Sequence, residues 1–549
     1  MSAYTAHIDT FAREHLPPRM LWPDITFSLP EVQYPERLNC ARMLLDVALD
    51  VEGYGEKIAL YSEQASWSWT QLRECTDRIA HVLVRELGIV PGNRVLLRAP
   101  NSLLLAAAWL AVMKCGAIAV TTMPMLRAKE LAAMADKARI DHAVCDSRLA
   151  GELQQAAQVC GRLSHIVTFG DGMLETWMRR YSEPFTAVDT SCEDICLLAF
   201  TSGTTGRPKA TMHSHRDVLV MADVVARHLL RTGPSDVYLG TPPLAFTFGL
   251  GALLVFPLRW RGASVMLERA TAETLLESVQ RFKATCLFTA PTMYRVLAPL
   301  ADQYDLTSLR RCVSAGETLS VATSDLWHAA TGLRIIDGLG STEMIHIFIS
   351  AEGDAIRPGS TGRALPGYEA CVLDAAGEPK FTNAVGRLAV RGPTGCRYLD
   401  DPRQSEYVVN GWNLTGDWYR IDDEGYFWFQ GRTDDMIISA GYNIAGPEVE
   451  SALQAHWAVR ECAVIGAADA ERGTIVKAFV VLRPDALAGP ELAKELQDFV
   501  KSTIAPYKYP RSIEFVDSLP KTDSGKIKRF ELRQQALEQA RIQDAGKAP

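Results

Sequence analysis

The sequence predicts an α/β protein built from several units, on three observations. From Ile58 onward, short apolar segments alternate with longer segments of helical spacing, the pattern of layered α/β architecture. Near Gly359 the texture shifts to short alternating runs parted by Gly, Asp and Pro, which suits antiparallel strands. The polar stretch Gly431-Arg432-Thr433-Asp434-Asp435 has nothing to bury, and a fresh α/β pattern follows it. The expected fold is a large N-terminal α/β domain of several subdomains, residues 1–431, with layered sheets, helices and a small β region. A smaller α+β domain, residues 432–549, follows a boundary at 432–435. A chain of 549 residues has room for roughly three or four folding units at about 150 residues each.

Composition narrows the class. With 48% hydrophobic and 22% charged residues, the chain is ordinary for a globular protein with substantial cores. A net charge of −8 argues against gripping nucleic acid through the overall field, so anionic ligands must meet locally concentrated positive charge. The 12 cysteines include no Cys-x-x-Cys pair, which favours reduced thiols and a cytoplasmic location over a disulfide frame or zinc site. The N-terminus carries Asp9, Arg13, Glu14 and Arg19, whereas a secretory signal needs an apolar core. The longest apolar run, residues 103–113, is too short to cross a bilayer. The reading is a soluble protein that meets neither nucleic acid nor membrane, as a monomer or homodimer.

In chain order, residues 1–50 read as an irregular arm packed on the body. Residues 95–97, 117–120, 143–145 and 166–169 read as strands, 103–113 as a buried helix, and 149–159 as another helix. Residues 195–200 form a buried strand. Val218, Leu219, Ala222, Val225, Ala226, Leu229 and Leu230 then recur at helical spacing, so the stretch between reads as a strand-to-helix loop. Strands follow at 237–239, 286–288, 312–314 and 333–336, with a helix at 291–300. The last two lead into Ala315-Gly316-Glu317 and Asp337-Gly338-Leu339-Gly340-Ser341-Thr342-Glu343. Ligands of open α/β sheets sit at the carboxyl ends of strands, so these loops are expected to line one cleft. Antiparallel strands are read at 369–373, 387–391 and 426–429, with a turn at 422–425. The small domain carries strands near 462–464, 477–482 and 513–515, helices near 447–456 and 490–504, and a polar, frayed last dozen residues.

The loop after residue 200 reads Thr201-Ser202-Gly203-Thr204-Thr205-Gly206-Arg207-Pro208-Lys209. Its two glycines let the backbone approach a ligand closely, and four hydroxyls and a lysine supply donors. That set suits the oxygens of a polyphosphate. It is not a Walker A loop, since Gly-x-x-x-x-Gly-Lys-[Ser/Thr] does not occur.

Four further motifs follow in order: Gly340-Ser341-Thr342-Glu343; Thr415-Gly416-Asp417-Trp418; Gly431-Arg432-x-Asp434-Asp435 with Gly441-Tyr442-Asn443-Ile444; and Pro520-Lys521-Thr522-Asp523-Ser524-Gly525-Lys526-Ile527. With the first loop they resemble the adenylate-forming (AMP-binding) acyl-CoA ligases, from about Ile58 to Arg533. The resemblance implies a two-step reaction using ATP, Mg2+ and coenzyme A, and a small domain that moves between the steps. In it a carboxylate attacks the α-phosphorus of ATP, and the coenzyme A thiol then displaces AMP from the acyl-adenylate.

The resemblance also implies roles. Thr201, Ser202, Gly203, Thr204, Thr205 and Lys209 would hold the phosphates, with Glu343 on Mg2+. Ala315, Gly316, Glu317, Asp337, Gly338, Gly340, Ser341 and Thr342 would flank the nucleotide. Asp417 would take the ribose hydroxyls, and Arg432 would approach the ribose or phosphate. Catalysis would rest on Lys526, Glu343 and Thr201, with Lys526 the cation of the first step. Asp434 would be the hinge, and Gly441 would line the pantetheine tunnel in the second step.

The stretch Phe246-Thr247-Phe248-Gly249-Leu250-Gly251 and the run from Glu343 to Phe348 are similar to the benzoate and 2-aminobenzoate ligases. By that likeness Thr247, Phe248, Leu339 and His346 would line the acyl pocket of an aryl carboxylate. A hydroxyl at Thr247 hints at a substituted ring, with 2-aminobenzoate the first choice. The pair His213 and His215 lacks a third ligand and reads as structural. A medium-chain fatty acyl-CoA ligase, an adenylation enzyme loading a discrete carrier protein, and a catalytically silent adenylate-binding protein share most of these motifs and stay open.

Overall fold

The computed structural model describes residues 4–202, 208–317, 319, 321–374, 376–432, 436–439, 442–469, 472–520, 527 and 529–545. One sheet has the spatial order His165–Phe169, His142–Asp146, Arg94–Arg98, Ile118–Thr122, Ile195–Ser202 and Pro208–Ser214. The first five of these strands are parallel and the last is antiparallel. A second sheet has six parallel strands, ordered Ile335–Gly340, Arg311–Ala315, Cys286–Thr289, Val237–Gly240, Ala263–Val265 and Ile58–Tyr61. Antiparallel strands flank it, Ile347–Ser350 and Arg363–Ala364 on one edge and Ser66–Ser68 on the other. Parallel strands must be covered on both faces, which is why Val95, Leu96 and Leu97 are all buried.

The helix Leu103–Lys114 covers the first sheet, packing on Arg94–Arg98 and Ile118–Thr122. Ser102 caps it by accepting the Leu105 N–H at 3.2 Å. Eleven of its 12 residues are buried, and the ten apolar ones join one core cluster with Leu97 and Ala119 of the first sheet that extends to Tyr238 and Phe288 of the second. A helix apolar all round can only sit inside. Its one buried charge, Lys114, is bonded to Asp77 at 2.6 Å and Asp46 at 2.8 Å.

Beyond the second sheet comes an antiparallel region ordered Pro379–Lys380, Glu369–Leu373, Ala384–Arg391, Trp412–Ile421 and Val408–Val409, with Phe427–Arg432 also paired to Trp412–Ile421. The C-terminal part holds a ribbon, Met436–Ser439 with Tyr442–Ala445, and a sheet of Val459–Asp469, Gly473–Leu482 and Ser512–Phe515. Helices Gly446–Gln454 and Pro490–Thr503 cover that sheet, seating Val449, Leu453, Leu496 and Val500 against Val464, Val476 and Val480. The architecture is the expected one, a large α/β domain followed by a smaller α+β domain. No described helix is long and apolar enough to cross a membrane.

Three readings are corrected. The stretch after Ser202 is not a strand-to-helix loop: Pro208–Ser214 folds back as a strand, pairing Thr201 with Lys209 and Leu198 with Met212, before the helix His215–Met221 begins. Both faces of that strand are buried beyond its first two residues, so no polar alternation marks it. Residues 337–340 belong to a strand, Ile335–Gly340, rather than a loop. The polar C-terminal segment is helical from Arg529 to Ala545, with Leu532 and Ala536 buried against the small sheet.

The Lys114 cluster sets a stability test. Lys114→Met leaves Asp46 and Asp77 as uncompensated buried carboxylates, which should cost about 3–5 kcal/mol in urea unfolding. Adding Asp77→Asn should recover part of that loss, and a change below about 1 kcal/mol in the single variant would contradict the pairing.

Candidate active site

The carboxyl ends of both parallel sheets open on one cleft of about 1330 Å³. Thr201, Thr247, Phe248, Ala315, Gly316, Gly340, Ser341, Thr342 and His346 line it. Ser202 belongs to the strand Ile195–Ser202, while Gly203, Thr204 and Thr205 lie outside the described residues. The Thr201 hydroxyl is buried and makes no hydrogen bond among the described residues, so it can donate to an incoming oxygen.

Behind this wall sits a charge cluster. Lys209 Nζ stands 3.0 Å from Glu343 Oε1 and donates to the Tyr398 hydroxyl at 2.8 Å. Tyr398 in turn donates to Glu343 Oε1 at 2.5 Å. Burial, the largest influence on Glu343, pushes its pKa up, but the Lys209 ammonium and the Tyr398 hydrogen bond outweigh it and hold the carboxylate below its ordinary value. Glu343 is therefore a buried anion at neutral pH. His213 fixes the turn that carries it, donating from Nε2 to the Thr342 carbonyl at 2.7 Å. Burial lowers the His213 pKa to about 4, so this ring is neutral. His215 takes a different partner, with Nδ1 accepting the Cys40 N–H at 3.2 Å, so the two histidines do not converge.

The strand Ile335–Gly340 divides the remaining candidates by face. Gly338 and Gly340 pack under the chain at Ile347 and His346: a Cβ would meet Ile347 Cδ1 at 2.4 Å or the His346 carbonyl at 2.8 Å. The two-residue period turns Asp337 and Leu339 the other way. Asp337 lines a small neighbouring cavity with Leu319, Ser324 and Arg357. Burial raises its pKa to about 7, and its Oδ1 has no partner among the described residues. Leu339 packs on the Met344–Phe348–Ile349 cluster rather than lining the large cleft. Glu317 Oε2 accepts the Thr292 N–H at 3.4 Å. Asp417 is buried opposite Arg432 in its hairpin, and the Arg432 side chain is outside the described residues.

Phe248 and His346 line the cleft in front of a buried aromatic cluster. Phe248 tilts on His346 at 5.6 Å and meets Phe288 edge-on at 5.9 Å, while Phe256 lies 4.7 Å from His346. His346 Nε2 donates to the Phe248 carbonyl at 3.3 Å, and burial lowers its pKa to about 3, leaving a neutral ring. Gly251 permits this packing, because a Cβ there would sit 2.5 Å from His346 Cδ2. The loop before Phe246 is pinned by Asn101, which accepts from Leu244 N–H at 2.8 Å and donates to the Pro242 carbonyl at 3.1 Å.

Tyr442, from the C-terminal part, also lines the cleft and meets Phe246 edge-on at 6.3 Å. Its neighbour Gly441, the hinge candidate Asp434 and the catalytic candidate Lys526 lie outside the described residues. Sequence reasoning missed Tyr398, Asn101 and His213 as site-shaping residues.

Two parallel sheets ending on a hydroxyl-rich cleft, with a mixed ion cluster behind, define a nucleotide-using α/β enzyme. The chain belongs to the AMP-binding enzyme family, whose model matches residues 47–397, with the AMP-binding enzyme C-terminal domain matching 448–526. Benzoate–CoA ligase of Thauera aromatica is 35% identical over 516 residues, 92% of this chain and 97% of that protein. Acyl-coenzyme A synthetase ACSM3, mitochondrial, of Mus musculus is 33% identical over 561 residues, 94% of this chain and 96% of that protein. The crystal structure of the anthranilate CoA ligase AuaEII in complex with anthranoyl-AMP matches at TM-score 0.72 and 34% identity, covering 93% of this chain and 100% of that one. The protein is an AMP-forming acyl-CoA ligase of the adenylate-forming class, and ATP and coenzyme A fit as its substrates.

The ion cluster generates a pH test. Glu343 is held ionised, so its contribution is present at neutral pH and is lost as pH falls through its depressed pKa. Tyr398→Phe removes one bond to the anion and raises that pKa, so the acid limb of adenylate formation should move to higher pH. A shift of about one unit matches a charge-assisted hydrogen bond. An unmoved acid limb in pH–rate profiles would detach Glu343 from the limb.

Proposed function

We propose that this ligase activates an aromatic carboxylic acid, benzoate or 2-aminobenzoate, as an acyl-adenylate and transfers it to coenzyme A. The observation that carries this reading is the pair Phe248 and neutral His346 on the cleft wall, backed by the buried rings of Phe256 and Phe288. A flat acid gains stacking and edge contacts there, worth about 0.5–1.5 kcal/mol per aromatic pair beyond area burial. The relatives named for benzoate and anthranilate support the same class.

In the first step the carboxylate oxygen bonds to the α-phosphorus and pyrophosphate leaves. In the second the coenzyme A sulfur bonds to the acyl carbon, AMP leaves and the thiol proton goes to solvent. Neither step calls for a protein nucleophile, so positioning and charge control supply the catalysis. Thr201 and its loop orient the phosphates, and Lys209 supplies a cation beside them. Glu343, an ionised carboxylate backed by hydroxyl groups, is an oxygen donor suited to Mg2+, which when bound neutralises triphosphate charge. Ala315 to Glu317 would accommodate the adenine, and Asp417 with Arg432 the ribose. Lys526 is assigned to the first step and the Gly441 loop to the second. A rotation of residues 432–549 about a hinge at 432–435 exchanges them. The lining of the cleft by Tyr442 supports reading this arrangement as that of the second step.

The relatives named acyl-coenzyme A synthetases favour a second reading, a straight-chain acid, and one assay separates the two. Coenzyme A-dependent AMP formation across a panel should favour benzoate and 2-aminobenzoate over octanoate. Each unaccommodated methylene should cost about 1–3 kcal/mol. Phe248→Ala should weaken aryl-acid use and relax the size limit, and a wild-type preference for octanoate would overturn the aryl assignment. Lys526→Ala should abolish pyrophosphate release while largely sparing thioester formation from supplied acyl-adenylate. Equal damage to both half-reactions would contradict the alternation.

A further inference from the structure

A second ionic cluster joins the two parts of the chain at the mouth of the cleft. Lys508, in the turn Pro506–Lys508, is 3% exposed. Its ammonium lies 2.6 Å from Glu130 Oε1 and 2.7 Å from Glu448 Oε1. Glu448 and Lys508 both belong to the small domain, Glu448 in the first turn of Gly446–Gln454. Glu130 comes from the large domain, in the first turn of the helix Ala128–Lys137. Without Glu130, the small domain keeps a charge-balanced Lys508–Glu448 pair. With it, two carboxylates share one ammonium, and Glu448 is pushed up to about 7, chiefly by burial, despite the opposing pull of Lys508.

Glu130 is placed independently of Lys508. Its Oε2 accepts the Arg127 N–H at 2.9 Å, and the loop before it hangs on Arg98, which donates to the carbonyls of Met123, Pro124 and Leu126 at 2.8, 3.0 and 2.9 Å. The socket is thus built on the rigid side and the ammonium is delivered to it. On the small-domain side, Tyr507 adjoins Lys508 and stacks on Tyr442 at 4.3 Å, and Tyr442 lines the cleft. Seating Lys508 therefore fixes Tyr442.

We propose that Glu130 and Lys508 form the latch that holds the small domain over the cleft for thioester formation, with Lys508 a positioning residue that acts through Tyr507 and Tyr442. This rests on the two-step reading above. Rotation to the adenylation arrangement withdraws Lys508 from Glu130 and leaves it with Glu448.

The test uses full-length protein and Glu130→Ala, a change outside the small domain's core. Two half-reactions are measured: pyrophosphate release with benzoate, and benzoyl transfer from supplied benzoyl-adenylate to coenzyme A. Distance distributions are read between spin labels carried by unnatural residues at the exposed positions Val159 and Leu487. Glu130→Ala should slow transfer at least about tenfold, the scale of losing a charged partner across an interface, while adenylation stays within about twofold. The label distances should shift from the wild-type distribution. Glu448→Gln, which keeps the anionic partner across the interface, should leave transfer within about twofold of wild type. Equal slowing of both half-reactions by Glu130→Ala, or unchanged rates with unmoved distances, overturns the latch. If wild-type protein forms no adenylate with any aryl acid, the aryl reading fails. The latch then stands or falls on whether Glu130→Ala moves the label distances.

Discussion

The helix Leu103–Lys114 is the constraint on which the large domain depends. Two parallel sheets each need cover on both faces; this helix covers the first, and one core cluster links it to the second. That shared core leaves the strand ends of both sheets opening on a common cleft. It also obliges the helix to be apolar all round, and its one charge to carry its own counter-ions into the core. Thr201 from one sheet and Gly316 and Gly340 from the other line that common cleft.

Electrostatics then works by substitution. A chain of net charge −8 that handles a triphosphate cannot rely on a broad positive field. It keeps single ammonium groups against buried carboxylates instead: Lys209 on Glu343 inside the site, and Lys508 on Glu130 and Glu448 at its mouth. Each pair is stable in the low-dielectric setting only while the partner is there, so each is sensitive to what replaces it. Tyr398 makes the inner pair a three-membered group and joins the Lys209 ammonium in holding the Glu343 carboxylate below its ordinary value against its burial.

Much of this was legible because motifs are contiguous. Thr201, Gly316, Gly340 and Glu343 stood out as residues of short polar or glycine-bearing stretches after apolar runs, and the change of texture at 359 and 431 marked the β region and the small domain. Partners from afar were not legible. Tyr398 is one tyrosine between Arg397 and Leu399, and its meaning comes from residues 189 and 55 positions away. Lys508 reads as an ordinary turn lysine until Glu130 is set beside it. The hairpin strand Pro208–Ser214 was hidden because its buried faces erase the two-residue signature. Taking 337–340 for a loop hid the alternation that sends Asp337 and Leu339 away from Gly338 and Gly340.

The contact between Gly251 and His346 bears on how such a pocket can diversify. With a Cβ at 251 only 2.5 Å from the imidazole, that wall has no smaller residue to shrink to and no room to grow. Variation in the acid accepted must therefore come from other lining positions, Thr247 and Phe248 among them. Descendants of this sequence with new substrates would then keep the glycine–histidine pair and change the residues around it.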